Sequence, residues 1–222
     1  MTILVTGANR GIGAEMVRQY VNSGNRVIAT TRGNIPADLE TAAEWYSLDV
    51  TDQASVTALA AKLDGREIGL LICNAGAYLD KGHQLTDGFT PDVWAQSFAI
   101  NATGPFLTIR ALLPNLQKAT GARIAVVASK MGSNEMAAGG AYAYRASKAA
   151  AINLVSNLAK DISGLGISVG AYHPGWVQTD MGGRNADIDV ETSARGLIER
   201  FESLSPTRSG CFENYDGTPL PH

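Results

Sequence analysis

Short apolar segments alternate with longer amphipathic segments along the whole chain. Residues 2–6 form a β-branched, apolar run with the length of a buried strand, and residues 14–22 carry apolar side chains at helical spacing. Because parallel strands need a crossover connection, usually a helix, repetition of this pattern predicts a parallel sheet flanked by helices. Further strands are predicted at residues 26–30, 45–48, 68–73, 123–128, 167–172 and 210–215, and further helices at 54–63, at 141–158, at 190–204 and, as one long helix, within 92–118.

The predicted fold class is therefore α/β, a single-domain Rossmann-type doubly wound parallel sheet of about seven strands. The chain of 222 residues is long enough for one sizeable core and too short for two full domains. No linker, repeat or low-complexity tract divides it. We expect residues 1–222 to form one domain.

A glycine-rich turn joins the first predicted strand to the first predicted helix. Glycines allow a tight turn and close approach of the backbone to a pyrophosphate, and the helix N-terminus adds free N–H groups and a positive dipole end. Strand, glycine-rich turn and helix, in this order, are the context of a dinucleotide site. The spacing is G-x-x-x-G-x-G, not the G-x-G-x-x-G of many dehydrogenases. The cofactor-binding candidates in this turn are Gly7, Asn9, Arg10, Gly11, Ile12 and Gly13.

Tyr144 and Lys148 lie four positions apart in a predicted helix, so they share one helix face. A cation beside a phenol favours the phenolate, and we expect Lys148 to lower a Tyr144 pKa that starts near ~10. A tyrosine tuned in this way can transfer a proton to or from a carbonyl oxygen. The same spacing also occurs by chance on helix surfaces, so the pair alone is a weak signal.

Polar motifs also follow several predicted strands, where ligands of open α/β sheets bind. Asp49-Val50 follows the third predicted strand, Asn74-Ala75-Gly76 the fourth, Ser129 the fifth and Pro174-Gly175 the sixth. With these motifs in this order, the chain resembles the short-chain dehydrogenase/reductases over nearly its whole length. The resemblance implies an adenine contact after the third strand and a nicotinamide-holding segment after the sixth. The cofactor-binding residues that it adds are Asp49, Val50, Asn74, Ala75, Gly76, Tyr144, Lys148, Pro174, Gly175, Val177 and Thr179.

The resemblance also implies a catalytic set, namely Asn101, Ser129, Tyr144 and Lys148. The implied reaction is hydride transfer between a nicotinamide and a carbonyl or alcohol substrate. Tyr144 exchanges a proton with the substrate oxygen, and the Ser129 hydroxyl donates a hydrogen bond to it. Lys148 is expected to bind the nicotinamide ribose, and Asn101 to hold a water that links Lys148 to solvent.

Two catalytic assignments have rivals in the sequence. Ser129 precedes Tyr144 by a longer interval than is usual in the family, which leaves Ser133 as an alternative, although the Ser-x-x-Gly spacing to Gly132 favours Ser129. Tyr142 is the rival tyrosine, but its offset of six residues from Lys148 faces away from the lysine.

The end of the second predicted strand decides the expected cofactor. NAD-specific members place a carboxylate there, whereas this chain has Arg32 and no acidic residue. Arg32 and Arg10 can offer planar sets of donors to a 2′-phosphate, so we expect NADP(H). The alternative is that both are ordinary surface arginines. Asp49 likewise has an alternative, as a cap of the turn that opens the next helix.

Three stretches, residues 129–133, 142–148 and 214–218, resemble the bacterial C-factor proteins and the sniffer-type carbonyl reductases. Two functions therefore stay open. The first is a carbonyl reductase for a small or medium substrate, and the second is a nucleotide-binding signalling protein with little physiological turnover. An extended-family sugar-nucleotide epimerase would need a C-terminal substrate domain that this chain lacks.

Composition limits the partners. A net charge of −3 gives no footprint for nucleic acid or an anionic membrane, and the apolar runs are strand-sized. The N-terminus has no basic region or cleavage site, and the two cysteines are predicted to be free thiols, so we expect a cytoplasmic protein. No group of residues has the spacing of metal ligands, so we expect no metal. A homodimer or homotetramer is implied by the resemblance, with a flat helix face for the partner formed by Ala149, Ala150, Ala151, Ile152 and Leu154.

Overall fold

The apolar segments of the sequence pair into one sheet in the computed structural model, which describes residues 1–222. Strands in the middle of a parallel sheet are covered on both faces, and the fourth and sixth strands are accordingly buried at every position. The strands are β1 (Thr2–Val5), β2 (Arg26–Thr31), β3 (Glu44–Ser47), β4 (Leu70–Cys73), β5 (Arg123–Val127), β6 (Ser168–His173) and β7 (Phe212–Asn214).

All seven strands are parallel, in the order β3-β2-β1-β4-β5-β6-β7. The chain moves outward from β1 to β3, returns to the other side of β1 and then moves outward from β4 to β7. The order therefore reverses between β1 and β4, where the loops at the carboxyl ends diverge and leave a crevice for a ligand. The predicted single-domain, doubly wound sheet of about seven strands is confirmed.

Helices cover both faces of the sheet, and the alternation of side chains along each strand divides the core in two. In β1, Ile3 and Val5 pack with helices at residues 11–22 and 190–203, while Leu4 packs with helices at residues 53–62, 104–116 and 142–161 on the opposite face. None of the helices has the length and apolar composition that crossing a bilayer requires. The helices are α1 (Gly11–Asn22), α2 (Gln53–Lys62), α3 (Pro91–Phe98), α4 (Gly104–Leu116), α5 (Tyr142–Asp161) and α6 (Val190–Ser203).

The single long helix predicted within residues 92–118 is divided. A π-helical turn, Ala99–Thr103, separates α3 from α4, and Asn101 lies in its middle. Pro105 explains the position of the break, because a proline has no N–H to donate to the carbonyl four residues earlier, here that of Asn101. A π turn widens the helix locally and changes the direction of its side chains, and Asn101 is buried there.

A short 3-10 turn, Lys130–Gly132, follows β5 and packs on α5. A Cβ atom added to Gly132 would lie 2.6 Å from the carbonyl carbon of Lys148 and 2.7 Å from the backbone nitrogen of Ala149. Backbone on both sides cannot move aside as a flexible side chain could. The absence of a side chain at Gly132 therefore sets how closely the end of β5 approaches α5.

Gly132→Ala should destabilise the protein by roughly 1–3 kcal/mol, the usual cost of overpacking a filled contact. Urea unfolding measures the change. Gly164→Ala is the matched control, because a Cβ at Gly164 meets nothing within 4 Å and its backbone is not in the left-handed region. Equal unfolding free energies for the two variants would contradict the close approach as the reason for glycine at position 132.

Candidate active site

The buried face of α5 carries Tyr144 and Lys148, as their four-residue spacing predicts. Only 7% of Tyr144 and 5% of Lys148 is exposed. The Lys148 ammonium donates to the Val127 carbonyl at 2.8 Å and lies 5.8 Å from the centre of the Tyr144 ring. Since Val127 is the last residue of β5, this hydrogen bond fixes the lysine at the carboxyl end of the sheet.

The expected lowering of the Tyr144 pKa is wrong for this structure. Burial raises the pKa of Tyr144 to about 12, the neighbouring Ser129 hydroxyl lowers it in part, and the nearby Tyr78 and Asp80 raise it further. A phenolate loses its hydration in such a site, and Lys148 is directed at the Val127 carbonyl instead of the phenol oxygen. Tyr144 therefore holds its proton at neutral pH, as a proton donor requires.

Burial acts on Lys148 in the opposite direction and lowers its pKa to about 8. The amine is still mostly protonated at pH 7, so a cation lies in the floor of the crevice. An ammonium has three donors, and the Val127 carbonyl occupies one of them. The other two are available for acceptors such as ribose hydroxyls.

The structure separates the two candidate serines. Ser129 lies two residues after the end of β5 and is buried, and its hydroxyl accepts from the backbone nitrogen of Met131 at 3.2 Å. It is also near enough to the Tyr144 phenol to lower its pKa. Ser133 is also buried, but its hydroxyl accepts from the backbone nitrogen of Met136 at 3.3 Å. The geometry favours Ser129 over Ser133 as the partner of Tyr144. The rival tyrosine, Tyr142, is 37% exposed and packs against Phe89.

Asn101 connects the π turn to α5 and to the loop after β4. Its amide nitrogen donates to the Ala77 carbonyl at 2.8 Å and to the Ser147 hydroxyl at 3.0 Å, and its oxygen accepts from the Ala77 nitrogen at 3.0 Å. Ser147 in turn donates to the Tyr144 carbonyl at 2.8 Å. A Cβ on Gly76 would lie 3.4 Å from the Lys148 amine, so the same loop passes directly beside that group.

The glycine-rich turn is packed against the loop after β4. The Asn74 amide donates to the carbonyls of Thr6 and Gly7 at 2.9 and 3.0 Å, and the Thr6 hydroxyl accepts from the nitrogens of Asn74 and Ala75. Gly7 has a φ of 63°, in the left-handed region that favours glycine. A Cβ on Gly13 would collide with the Gly7 carbonyl oxygen and the Asn74 amide. The turn therefore requires glycine at both positions.

The start of α1 fits a pyrophosphate. No side chain caps this helix, and its first turn has no acidic residue, so its N–H groups and positive dipole end face the crevice unopposed. Ile12 packs against the core beneath the turn, while Asn9 is half-buried near Gly33, just beyond β2. The donor set and the side-chain-free backbone match the requirements of a dinucleotide.

The segment after β6 borders the crevice on the far side. Gly175 has a φ of 89°, and a Cβ there would lie 2.6 Å from Ile188. Thr179 lies next to the glycine-rich turn, since a Cβ on Gly11 would be 3.4 Å from its methyl group. Pro174 accepts a hydrogen bond from Ser193 on α6, and Val177 is buried. Residues 174–179 thus lie next to both α6 and the start of α1.

Both arginines considered for a phosphate form ion pairs with carboxylates. Arg10 lies 2.6 Å from Asp180, and Arg32 lies 3.2 Å from Asp49. Asp49 also accepts from the nitrogen and hydroxyl of Thr51, and these bonds, the hydroxyl above all, hold its pKa below the usual range. Asp49 therefore caps the turn before α2, as the alternative interpretation of this residue predicted. Val50, its neighbour, is buried against Gly104 of α4.

Three residues around Tyr144 were not identified from the sequence. The Tyr78 ring stacks on the Tyr144 ring with centres 4.3 Å apart, Asp80 accepts from the nitrogens of Ala143 and Tyr144, and Ser147 joins Asn101 to α5. One signal did exist for Asp80. Helix α5 is preceded by Gly139, Gly140 and Ala141, none of which has a side chain able to cap it, so the cap must come from elsewhere.

Comparison with known proteins agrees with this arrangement. The family model described as short chain dehydrogenase matches residues 1–188. A 1-hydroxy-2-glutathionyl-2-methyl-3-butene dehydrogenase of Rhodococcus sp. (strain AD45) is 38% identical and covers 99% of this chain and 98% of its own. The C-signal protein of Myxococcus xanthus is 45% identical over 130 residues, which are 57% of this chain and 77% of that protein.

Two solved structures share the whole fold. The NADPH-bound carbonyl reductase from chicken fatty liver has a TM-score of 0.91 and 33% identity and covers 100% of this chain and 98% of its own. The carbonyl reductase Sniffer of D. melanogaster has a TM-score of 0.92 and 30% identity, with 100% and 99% covered. The predicted resemblance to C-factor and sniffer-type proteins is confirmed, and the chain belongs to the short-chain dehydrogenase family of oxidoreductases.

Proposed function

We propose that this protein is an NADP(H)-dependent carbonyl reductase, which transfers hydride between the nicotinamide and a small or medium carbonyl or alcohol substrate. The observation that carries the proposal is the Tyr144 phenol. It is buried on α5, lies near Ser129 and the Lys148 amine, and has a pKa raised by burial to about 12, so it is protonated at neutral pH. A protonated phenol in such a crevice is suited to protonate an oxygen on which negative charge develops.

We assign the cofactor site to residues 1–222 acting as one NAD(P)-binding domain. The glycine-rich turn and the start of α1 would hold the pyrophosphate, Asp49 and Val50 the adenine, and residues 174–179 the nicotinamide. Asn74, Ala75 and Gly76 line the floor between them. When bound, NADP(H) supplies or accepts the hydride.

In reduction, Tyr144 donates its proton to the substrate oxygen, and Ser129 donates a hydrogen bond to the same oxygen. Lys148, held by the Val127 carbonyl beside the Tyr144 ring, keeps two N–H donors for the ribose hydroxyls of the cofactor. Asn101 fixes the π turn against α5 through Ala77 and Ser147 and so keeps Lys148 and Tyr144 in register. Alcohol oxidation uses the same groups in reverse.

The main alternative is a nucleotide-binding signalling role with little turnover. The similarity to the C-signal protein favours it, and that match covers 57% of this chain. The complete set of Asn101, Ser129, Tyr144 and Lys148 favours turnover instead. Carbonyl-dependent loss of NADPH absorbance, screened over aldehydes, ketones and quinones, distinguishes the two, because a signalling protein would bind NADPH without consuming it.

We further propose a cytoplasmic location and a homodimer or homotetramer. Cys73 and Cys211 are free thiols, as expected for a reducing compartment. Two of the residues considered for the partner face, Ala151 and Ile152, are instead buried in the chain's own core. The outward side of α5 is formed by residues such as Asn153, Leu154 and Asn157.

Tyr144→Phe should reduce turnover by ~10²-fold or more and leave NADPH binding intact, because it removes the transferable proton and keeps the ring. Steady-state kinetics and fluorescence titration of NADPH measure the two effects. Tyr142→Phe is the matched control, since Tyr142 lies on the same helix and is exposed. Near-native turnover of the Tyr144 variant would exclude it as the proton donor.

Arg32→Ala should weaken NADPH binding by ~10- to 100-fold and barely change NADH binding, since one charge-assisted contact to the 2′-phosphate contributes roughly 1.5–3 kcal/mol. Isothermal titration with both cofactors measures this. Arg26→Ala serves as the control, because Arg26 begins β2 at the opposite end of the strand that Arg32 follows. Equal affinities of the unmodified protein for NADPH and NADH would refute the assignment.

If a second copy of the chain covers the outward side of α5, light scattering at micromolar concentration should give the mass of a dimer or tetramer. A charged pair of substitutions on that side, Leu154→Glu with Asn157→Glu, should shift the mass to that of a monomer without unfolding the chain. Arg110→Glu, on an exposed part of α4, tests whether that helix contributes to the same contact. A monomeric mass for the unmodified protein would overturn the proposal.

A further inference from the structure

The helix that carries Tyr144 begins without a cap of its own. Ala141, its N-terminal neighbour, has a φ of 48° and is the only non-glycine residue of the chain in the left-handed region. Gly139 and Gly140 before it have φ values of 70° and 65°, so three successive left-handed residues lead into α5. Such backbone is strained at a residue with a Cβ, and it persists only where the surroundings hold it in place.

The surroundings supply that restraint through Asp80. Its carboxylate, which belongs to a residue only 1% exposed, accepts from the nitrogens of Ala143 at 2.8 Å and Tyr144 at 3.3 Å. These are the second and third residues of the helix, the positions that a capping side chain normally serves. Asp80 lies 63 residues before Ala143, in the loop after β4, and its second oxygen has no hydrogen-bond partner.

The same loop also contacts the Tyr144 side chain. The Tyr78 ring stacks on the phenol ring at 4.3 Å between centres and 21° between planes. Asp80 therefore holds Tyr144 at its backbone nitrogen, and Tyr78 holds it at its ring. We propose that Asp80 is a positioning residue for the proton transfer by Tyr144, acting through the first turn of α5; this inference rests on the proposed function.

The charge of Asp80 has a direction as well. An anion near the phenol disfavours the phenolate and keeps the proton on Tyr144, the form that reduction requires. Burial is the largest cause of the raised pKa, and Tyr78, which stacks on the phenol, acts in the same direction as Asp80. Lys148 is directed at the Val127 carbonyl. Arg145 acts on Tyr78, while Lys130 and Lys148 act on His173, whose pKa burial lowers to about 3 so that it is neutral.

Three variants of Asp80 separate position from charge. Asp80→Asn keeps an oxygen in the capping place and removes the charge, Asp80→Glu keeps the charge and displaces the oxygen by one methylene, and Asp80→Ala removes both. Asp52→Ala is the matched control, since Asp52 caps α2 with bonds of 2.9 and 3.3 Å to two backbone nitrogens. The carbonyl reductase activity of each is measured over a range of NADPH concentrations up to saturation.

We expect Asp80→Ala and Asp80→Glu to lower kcat by ~10- to 100-fold, the usual effect of misplacing a catalytic group by about 1 Å, with KM for NADPH unchanged. Asp80→Asn should keep kcat near that of the unmodified protein. Because the phenol then loses its proton more easily, the fall of the reduction rate at high pH should begin at lower pH. Asp52→Ala should reduce stability and leave both kcat and the pH profile unchanged. A kcat for Asp80→Ala equal to that of Asp52→Ala would overturn the proposal, as would an Asp80→Asn variant as slow as Asp80→Ala.

Two readouts do not need turnover. Amide hydrogen exchange at Ala143 and Tyr144 should be slow in the unmodified protein and in Asp80→Asn, and fast in Asp80→Ala and Asp80→Glu. Ultraviolet titration of tyrosinate, with the matching Tyr144→Phe double variant subtracted, should place the phenol of Asp80→Asn at a lower pKa. If no carbonyl compound is reduced, the proposed function fails, while unchanged exchange and titration would refute the role of Asp80 independently.

Discussion

A buried amine beside a buried phenol on one face of α5 is the constraint on which the site depends. Loss of hydration pushes both groups toward their neutral forms, with the Lys148 pKa at about 8 and the Tyr144 pKa at about 12. A lysine in the unfolded chain titrates near 10.5, so between about pH 8 and 10.5 the unfolded chain binds more protons than the folded one. Across that window Lys148 makes the stability of the fold rise with pH. At pH 7 its burial lowers stability by roughly 3 kcal/mol, which the surrounding packing must offset.

Local patterns in the sequence predict most of the fold and the place of the glycine-rich turn. A short continuous apolar run, a glycine-rich turn and helical spacing of apolar residues are properties of short segments, so β1, its turn and α1 follow from them directly. The shared face of Tyr144 and Lys148 also follows from helical spacing alone. The direction of the Tyr144 pKa could not be predicted, because spacing does not tell how deeply a helix face is buried.

Contacts between distant segments account for the rest. Asp80 faces the start of α5 only because β4 and β5 are neighbours, and nothing near it in the chain indicates this. The helix break at Asn101 could have been predicted, because Pro105 four residues later removes the hydrogen bond that a continuous helix needs there. The ion pairs Arg10–Asp180 and Arg32–Asp49 are also tertiary; both are solvent-exposed, so each stabilises by at most about 1 kcal/mol and yields readily to a stronger anion.

The hydrogen bonds that assemble the site join residues far apart in sequence: 68 positions between Thr6 and Asn74, 63 between Asp80 and Ala143, and 46 between Asn101 and Ser147. No contiguous segment of the chain contains the site, and closing such long loops is entropically costly, so the site forms only after the sheet has brought β1, β4 and α5 together. Unfolding runs in the opposite order. Opening of the first turn of α5 separates the phenol from its neighbours while the sheet is still intact, so on heating or in denaturant the arrangement around Tyr144 is lost before the fold.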